Sequence, residues 1–301
     1  IALRTYNISR KDFSWRSSVV FSHYKNELVA LNDPTASLRG YKEYGNAILV
    51  TNTYAGGPVG TFFGFVDDGL FRTQAELDAA TYTVDQNGVA VKYIQGLEVG
   101  ENPVTGTYLG DVRYKDVNGD GRIDDKDLTV IGDPNPDFTY GISNTFTYKN
   151  FDLSLFFQGS QGADILNYTL RSTESSFNPY LNQQATVLDR YTADNIDGSL
   201  PRYNQWHNNN RRVSSRMVED GSYFRIQNIS LGYNLPRTLL NRVNISNLKI
   251  YATVQNLYTF TKYSGYDPEL GSFNNNIRYM NVDDGHYPNP RTWTIGANVA
   301  F

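Results

Sequence analysis

Apolar and polar residues alternate one for one along several stretches of this chain, and that alternation constrains its fold more than any other feature. Across Phe138–Tyr148, the side chains of Phe138, Tyr140, Ile142, Phe146 and Tyr148 fall on one face of an extended strand, and Thr139, Gly141, Ser143, Thr145 and Thr147 on the other. A tight turn at Lys149-Asn150 leads into Phe151, Leu153, Leu155 and Phe157, alternating with Asp152, Ser154 and Gln158, so the two stretches read as a hairpin. Ile229, Leu231, Tyr233 and Leu235 alternate with Ser230, Gly232 and Asn234. Leu248, Ile250, Ala252 and Val254 alternate with Lys249, Tyr251, Thr253 and Gln255, which gives a second hairpin. Residues 4–9 and 13–24 pair around Arg10-Lys11-Asp12 with weaker alternation, and the chain closes on Trp293, Ile295, Ala297, Val299 and Phe301 against Thr292, Thr294, Gly296, Asn298 and Ala300. Each strand has one apolar and one polar face.

The connections between these strands come in two kinds. Short ones fall around 10–12, 149–150 and 236–246, long ones at 26–136, 161–221 and 261–290, and they alternate strictly. That is the layout of a membrane barrel, with short turns on the inner side and long loops outside. No apolar run approaches the roughly 18 residues of a spanning helix, but a membrane strand averages near neutral and escapes that test. A terminal amphipathic strand ending on an aromatic, here Phe301, resembles the signal by which bacterial outer-membrane barrels are recognised for insertion. The expected fold is therefore all-β: an antiparallel transmembrane β-barrel with long external loops, in which further strands near 47–54 and 61–71 belong to the first loop. Seven spanning strands fall short of the roughly eight in the smallest single-chain membrane barrels. The chain, which begins at Ile1 with neither initiator Met nor signal peptide, is expected to be one wall of a larger barrel. The rival is a two-sheet β-sandwich with large loops. Against it, Tyr and Phe cluster at both strand ends, as aromatic girdles at two membrane interfaces do.

Composition narrows the function. Among 301 residues there are 39 Phe or Tyr and no Cys, so thiolate metal sites and Cys nucleophiles are excluded. A net charge of −4 offers no basic face to a nucleic acid. His23, His207 and His286 lack metal or triad spacing, and no serine sits in a G-x-S-x-G elbow. The pairs Asp67-Asp68 and Asp283-Asp284 read as turn formers and not as glycosidase acids. No enzymatic activity is expected.

The sharpest motif runs from Asp116 to Asp127. Side-chain oxygens of Asp116, Asn118 and Asp120 at positions 1, 3 and 5, the main-chain carbonyl of Arg122 at 7, and acids Asp124 and Asp127 at 9 and 12 can surround one Ca²⁺, with Gly121 at the sharp turn. Asp stands at position 12 where the usual pattern has Glu, and no helix pair flanks the loop, which points to bracing and not to sensing. Residues 203–216, with Trp206, Asn208, Asn209, Asn210, Arg211, Arg212 and Arg216, and residues 263–287, rich in Asn, Tyr and Asp, mix rings with amides and guanidinium groups in a way that suits sugars or peptides.

Several stretches, in order, resemble a known family. Gly57-Pro58-Val59-Gly60-Thr61-Phe62-Phe63-Gly64 followed by Asp68-Gly69-Leu70-Phe71, then Gly110-Asp111-Val112-Arg113-Tyr114-Lys115-Asp116-Val117-Asn118-Gly119-Asp120-Gly121, Ile131-Gly132 and Pro136-Asp137-Phe138-Thr139-Tyr140-Gly141, are similar to SusC/RagA-like TonB-dependent transporters. So are Tyr148-Lys149-Asn150-Phe151-Asp152, Gln158-Gly159-Ser160-Gln161-Gly162, Asp220-Gly221-Ser222-Tyr223-Phe224-Arg225-Ile226, Gln255-Asn256-Leu257 and Gly265-Tyr266-Asp267-Pro268-Glu269. The resemblance implies the C-terminal part of a plugged barrel of about 22 strands, in the outer membrane of a Bacteroidota-type bacterium. It further implies import of glycans or peptides, coupled to the TonB complex through N-terminal regions absent from these residues, together with a SusD-like surface lipoprotein. The alternative is an outer-membrane or surface binding protein, such as an adhesin, without transport.

Overall fold

The computed structural model describes every residue except 45, 100–105, 175–181, 205–208, 241–244 and 273–275. Seven strands form one antiparallel sheet: β1 (Ala2–Ser9), β2 (Phe13–Ser22), β3 (Phe138–Tyr148), β4 (Phe151–Gln161), β5 (Tyr223–Asn234), β6 (Asn247–Thr261) and β7 (Thr292–Ala300). Their order in the sheet is their order in the chain, so the sheet is an up-and-down meander, with β1 and β7 at its two edges. The seven expected strands are all present. Lys149, at φ +50, and Asn150 make the two-residue turn that sets Tyr148 opposite Phe151.

Register explains why the alternation holds across the whole sheet. Trp15 pairs with Phe146 and Phe146 with Leu153; Leu153 pairs with Leu231, and Leu231 with Ala252. One continuous apolar face results. At the outer end of this face Phe21, Phe138, Tyr140, Phe157, Phe224, Tyr258 and Phe260 form a chain of ring contacts 4.7–6.4 Å apart. At the inner end the Phe151 and Tyr233 rings pack tilted against each other at 4.6 Å, with Tyr148 opposite Phe151. These are the two expected aromatic bands.

The alternation has irregularities that periodicity alone missed: the register of β1 on β2 shifts between Tyr6 and Ile8, and another shift lies in β5. Between β5 and its neighbours the register shifts at Ile226/Asn228, where Gln227 bulges against β4 and Asn256 of β6 takes a positive φ of +52. The bulge moves the apolar set of β5 from odd residues (Ile229, Leu231, Tyr233) to even ones (Ile226, Phe224), keeping both on the same face.

Nothing in the described structure covers the apolar face. Leu231 and Ile250, both in interior strands, are 49% and 47% exposed, and every buried apolar side chain among the described residues lies outside β1–β7. A β-sandwich would bury that face against a second sheet; no such sheet forms. Several polar atoms on the apolar face pair with one another: Trp15 Nε1 and Ser17 Oγ both donate to Asn144 Oδ1 at 3.0 and 2.7 Å, Asn7 Nδ2 donates to Ser17 Oγ, and Thr5 Oγ1 donates to Asn7 Oδ1. Internal pairing of this kind is what a hydrocarbon environment demands.

Candidate functional site

The buried core of the chain lies in its three long connections, which all leave the same end of the sheet and fold into one another. The first contributes strands Ser37–Tyr44, Asn46–Tyr54, Phe62–Gly64 and Thr129–Gly132 as a four-stranded sheet; only part of this set was legible beforehand, because Ser37–Tyr44 and the three-stranded sheet of Thr81–Gln86, Val89–Ile94 and Leu97–Glu98 have no clean alternation. The second and third connections share a sheet: Asp164–Asn167 pairs antiparallel with Val218–Asp220 and parallel with Val282–Asp283. Val50 and Phe62 from the first connection, Leu166, Tyr168, Val213 and Met217 from the second, and Val282 from the third pack in a single cluster. Gly64 permits this closure, since a Cβ there would lie 2.4 Å from the Val213 carbonyl oxygen.

Polar groups tie the loops together just as tightly. Arg202 donates to both carboxylate oxygens of Asp111 at 2.7 and 2.8 Å, and Asp111 is fully buried. Gln95, buried in a hairpin turn at φ +52, donates to the Val112 carbonyl and accepts from the Tyr114 N–H, while Arg212 donates to the Gln95 carbonyl at 2.7 Å. Arg212 also lies 4.9 Å from the Phe65 ring centroid, and burial lowers its affinity for a proton. Burial, then neighbouring Arg171, brings the Arg211 pKa down to about 9. Of the 203–216 stretch expected to face a ligand, Asn209, Asn210 and Arg211 are therefore buried in loop packing; Trp206, His207 and Asn208 lie outside the described residues. In the 263–287 stretch Tyr266 and Tyr287 are exposed and Tyr263 is buried, its hydroxyl donating to Asp283.

The 116–127 segment is a single compact turn. Asp116 accepts from the N–H groups of Gly119 and Gly121 at 2.7 Å each, Asn118 Oδ1 from Asp120 and Asp120 Oδ1 from Arg122. Asp127, fully buried, accepts from Val117 and Asp124, and Asp124 caps the short helix Asp125–Asp127. The donors of Gly121 and Gly119 hold the Asp116 carboxyl below its usual range, and Gly119 and Gly121 take the positive φ that the turn requires. The five side chains are all oxygen donors, the chemistry a hard divalent cation needs. As folded they brace the backbone, and among the described residues no three His, Asp or Glu side chains converge on one metal position. The Arg122 side chain lies instead over the Tyr82 ring at 5.4 Å.

The polar face of the sheet carries its own network. Lys249 Nζ meets Asp152 at 2.7 Å, Asn234 donates to Asp152, and Thr253 to Ser230. Nearer the loops, Arg225 of β5 pairs with Asp267 and Glu269 of the third connection.

Comparison with known proteins decides what this architecture is. No family model matches the chain. A TonB-dependent receptor P3 of Formosa agariphila is 34% identical over 308 residues, which covers 100% of this chain and 28% of the relative. The TonB-dependent receptor SusC of Bacteroides thetaiotaomicron is 26% identical over 190 residues, 62% of this chain and 17% of the relative. The structure of the RagAB peptide transporter superposes over the whole chain, and 28% of its own, with a TM-score of 0.70 at 21% identity. This chain is SusC/RagA-like. It spans less than a third of the curated relatives it matches. The SusC/RagA-like resemblance read from the motifs holds, as does the antiparallel all-β fold, and the likeness is to receptors and a transporter, not to enzymes.

Proposed function

We propose that the chain is part of the wall, and the external loops, of an energy-coupled importer that carries nutrients, glycans or peptides, across the bacterial outer membrane. The observation that carries this reading is the uncovered apolar face of β1–β7, flanked by aromatic bands at both ends, beside a polar opposite face. Sheets facing water on both sides do not leave such a band bare. Likeness to TonB-dependent receptors supports coupling to a TonB complex through regions outside this chain, and likeness to SusC and to RagAB supports a SusD-like surface lipoprotein as partner at the loops.

Within the first connection, the 116–127 turn is proposed to take Ca²⁺, with Asp116, Asn118, Asp120, Asp124 and Asp127 as side-chain ligands and Arg122 through its carbonyl. The ion would offset the mutual repulsion of four carboxylates and stiffen the loop.

The deciding experiment is fractionation of the full-length protein from its host, with heat-modifiable gel mobility and mass spectrometry of what co-purifies. A heat-shifted outer-membrane band carrying a lipoprotein partner is expected. A soluble, unshifted protein overturns the importer and leaves a surface-binding protein.

A further inference from the structure

Charge divides sharply between the two ends of the sheet. The long connections, 26–136, 161–221 and 261–290, hold 28 of the chain's 31 Asp and Glu but only 16 of its 27 Lys and Arg. The short turns, 10–12, 149–150 and 236–246, hold five cations, Arg10, Lys11, Lys149, Arg237 and Arg242, against the single acid Asp12; Arg242 lies outside the described residues. One end of the wall is acidic and the other basic.

The basic turns form one rim. The Lys149 N–H donates to the Asp12 carbonyl at 2.8 Å, which joins the first turn to the second. The Asn234 N–H donates to the Asn150 carbonyl and Asn150 Nδ2 donates back to the Asn234 carbonyl, both at 2.8 Å, which joins the second to the third. Arg10, Lys11, Lys149 and Arg237 are all exposed, and among the described residues none of their side chains makes an ion pair or a hydrogen bond. Lys249, on the polar face just above, is by contrast neutralised by Asp152 at 2.7 Å.

The surroundings of these cations are apolar and outward-facing. Tyr148 belongs to the apolar face, and Lys149 Nζ lies 5.5 Å from its ring centroid, which sets that ammonium on the outer side of the wall. Phe151 and Tyr233 of the inner aromatic band lie next to it. Leu239, two residues beyond Arg237 in the short helix Arg237–Leu240, is 57% exposed, so bare apolar surface and a cation share one turn. Lys and Arg just past an aromatic band are placed to keep their stems in hydrocarbon and their charges among headgroups.

We propose that this rim binds anionic phospholipid headgroups of the inner leaflet, phosphate diesters that carry no compensating ammonium. The guanidinium groups of Arg10 and Arg237 and the ammonium groups of Lys11 and Lys149 meet the phosphate oxygens, while Leu239 and the aromatic band hold the first acyl carbons. The acidic loops at the other end are repelled by such headgroups, so charge also orients the wall. The proposal rests on the membrane-wall reading and goes beyond it by assigning the lipid.

The test uses the full-length protein reconstituted in vesicles of phosphatidylcholine and phosphatidylglycerol, one lipid at a time carrying a diazirine close to its headgroup, with the photolabelled residues located by mass spectrometry. Phosphatidylglycerol is expected to label 9–13, 147–151 and 235–240 in preference to phosphatidylcholine, and the preference should fall as salt is raised. Each cation near an anionic surface is worth roughly fivefold, so Lys11→Gln, Lys149→Gln and Arg237→Gln together should lower the preference at least about tenfold. Lys11→Arg with Lys149→Arg should keep it. Heat-modifiable mobility shows that each variant assembles. Equal labelling by the two lipids, or a preference untouched by the glutamine changes, overturns the proposal. So does a triple variant that loses retention on peptidoglycan with its lipid labelling unchanged, which would assign the rim to the cell-wall polymer. Labelling of Leu231 and Ile250 on the apolar face reads the wall separately. If neither lipid reaches them the wall reading fails and this proposal with it; if they are labelled while the turns show no preference, this proposal alone fails.

Discussion

Arg225 in β5 and Asp267 in the third long connection form an ion pair on the polar face of the sheet, with Arg225 buried to 1% and Asp267 to 7% side-chain exposure. Arg225 also donates to Thr259 of β6 at 2.9 Å and to Glu269, and Asp267 accepts from the backbone and side chain of Asn289 at 3.1 Å. One buried guanidinium thus fastens residues 267–289 to the wall. A buried charge that loses its partner is costly, and a hydrogen bond to a charged group is worth about 1.5–3 kcal/mol. Asp267→Ala is expected to destabilise this connection by about that amount, read as faster hydrogen exchange across 262–291 with the β-sheet signals unchanged. Protection equal to the parent's would refute the anchoring role.

The apolar face makes a second prediction. Ile229 pairs with Leu155 and Val254 midway along the wall, so Ile229→Arg places a charge near the bilayer midplane at a cost of about 2–4 kcal/mol. Thr145, on the opposite face and exposed, should accept Arg with little loss. Assembly yield and urea midpoint in lipid are the readouts, and equal effects of the two changes would contradict the facial assignment.

Asn144 should be needed for a reason periodicity hides. Its Oδ1 accepts from both Trp15 Nε1 and Ser17 Oγ on the apolar face. Asn144→Leu strands two donors in hydrocarbon, and a loss of about 1–3 kcal/mol is expected despite the more apolar side chain. A gain in unfolding midpoint would show that water or lipid headgroups reach this point.

The 116–127 turn supplies a calcium test. Asp116→Ala with Asp120→Ala is expected to leave membrane insertion intact while raising protease sensitivity of the turn in calcium. If mutant and parent are cut equally in calcium, the ion has no bracing role there.

The same turn gives a pH dependence. Hydrogen bonds from Gly121 and Gly119 lower the Asp116 pKa below its ordinary 3.8. A carboxyl lowered in the folded state contributes stability that is present above its unfolded pKa and is lost as pH falls through the folded one. In chelator, proteolysis of the turn should therefore stay flat from neutrality down to about pH 4 and rise only below it. A rise starting near pH 6 would implicate some other group.

What the sequence determined by itself was whatever depends on neighbours along the chain. Strand identity, the facing of Phe138 against Thr139, the Lys149-Asn150 turn and the alternation of short with long connections follow from a period of two and from turn chemistry, both local. The acidic turn was legible for the same reason: its bonds run between residues at most ten apart. Only the tertiary structure decided the rest. Gln227 bulges where β5 carries one residue more than β4 between Ile226 and Asn228, a mismatch set by pairing with a separate strand, and Arg225 is buried because a connection some 40 residues downstream folds back over it. Asn209 and Asn210, which read as ligand contacts, became packing once Asp111 and Val112, about a hundred residues earlier, closed against them, and the Arg211 carbonyl accepts from Arg171, 40 residues earlier. Long-range burial depends on which chain segments meet, and residue spacing carries no record of that; the face of a strand depends only on the residue two places away.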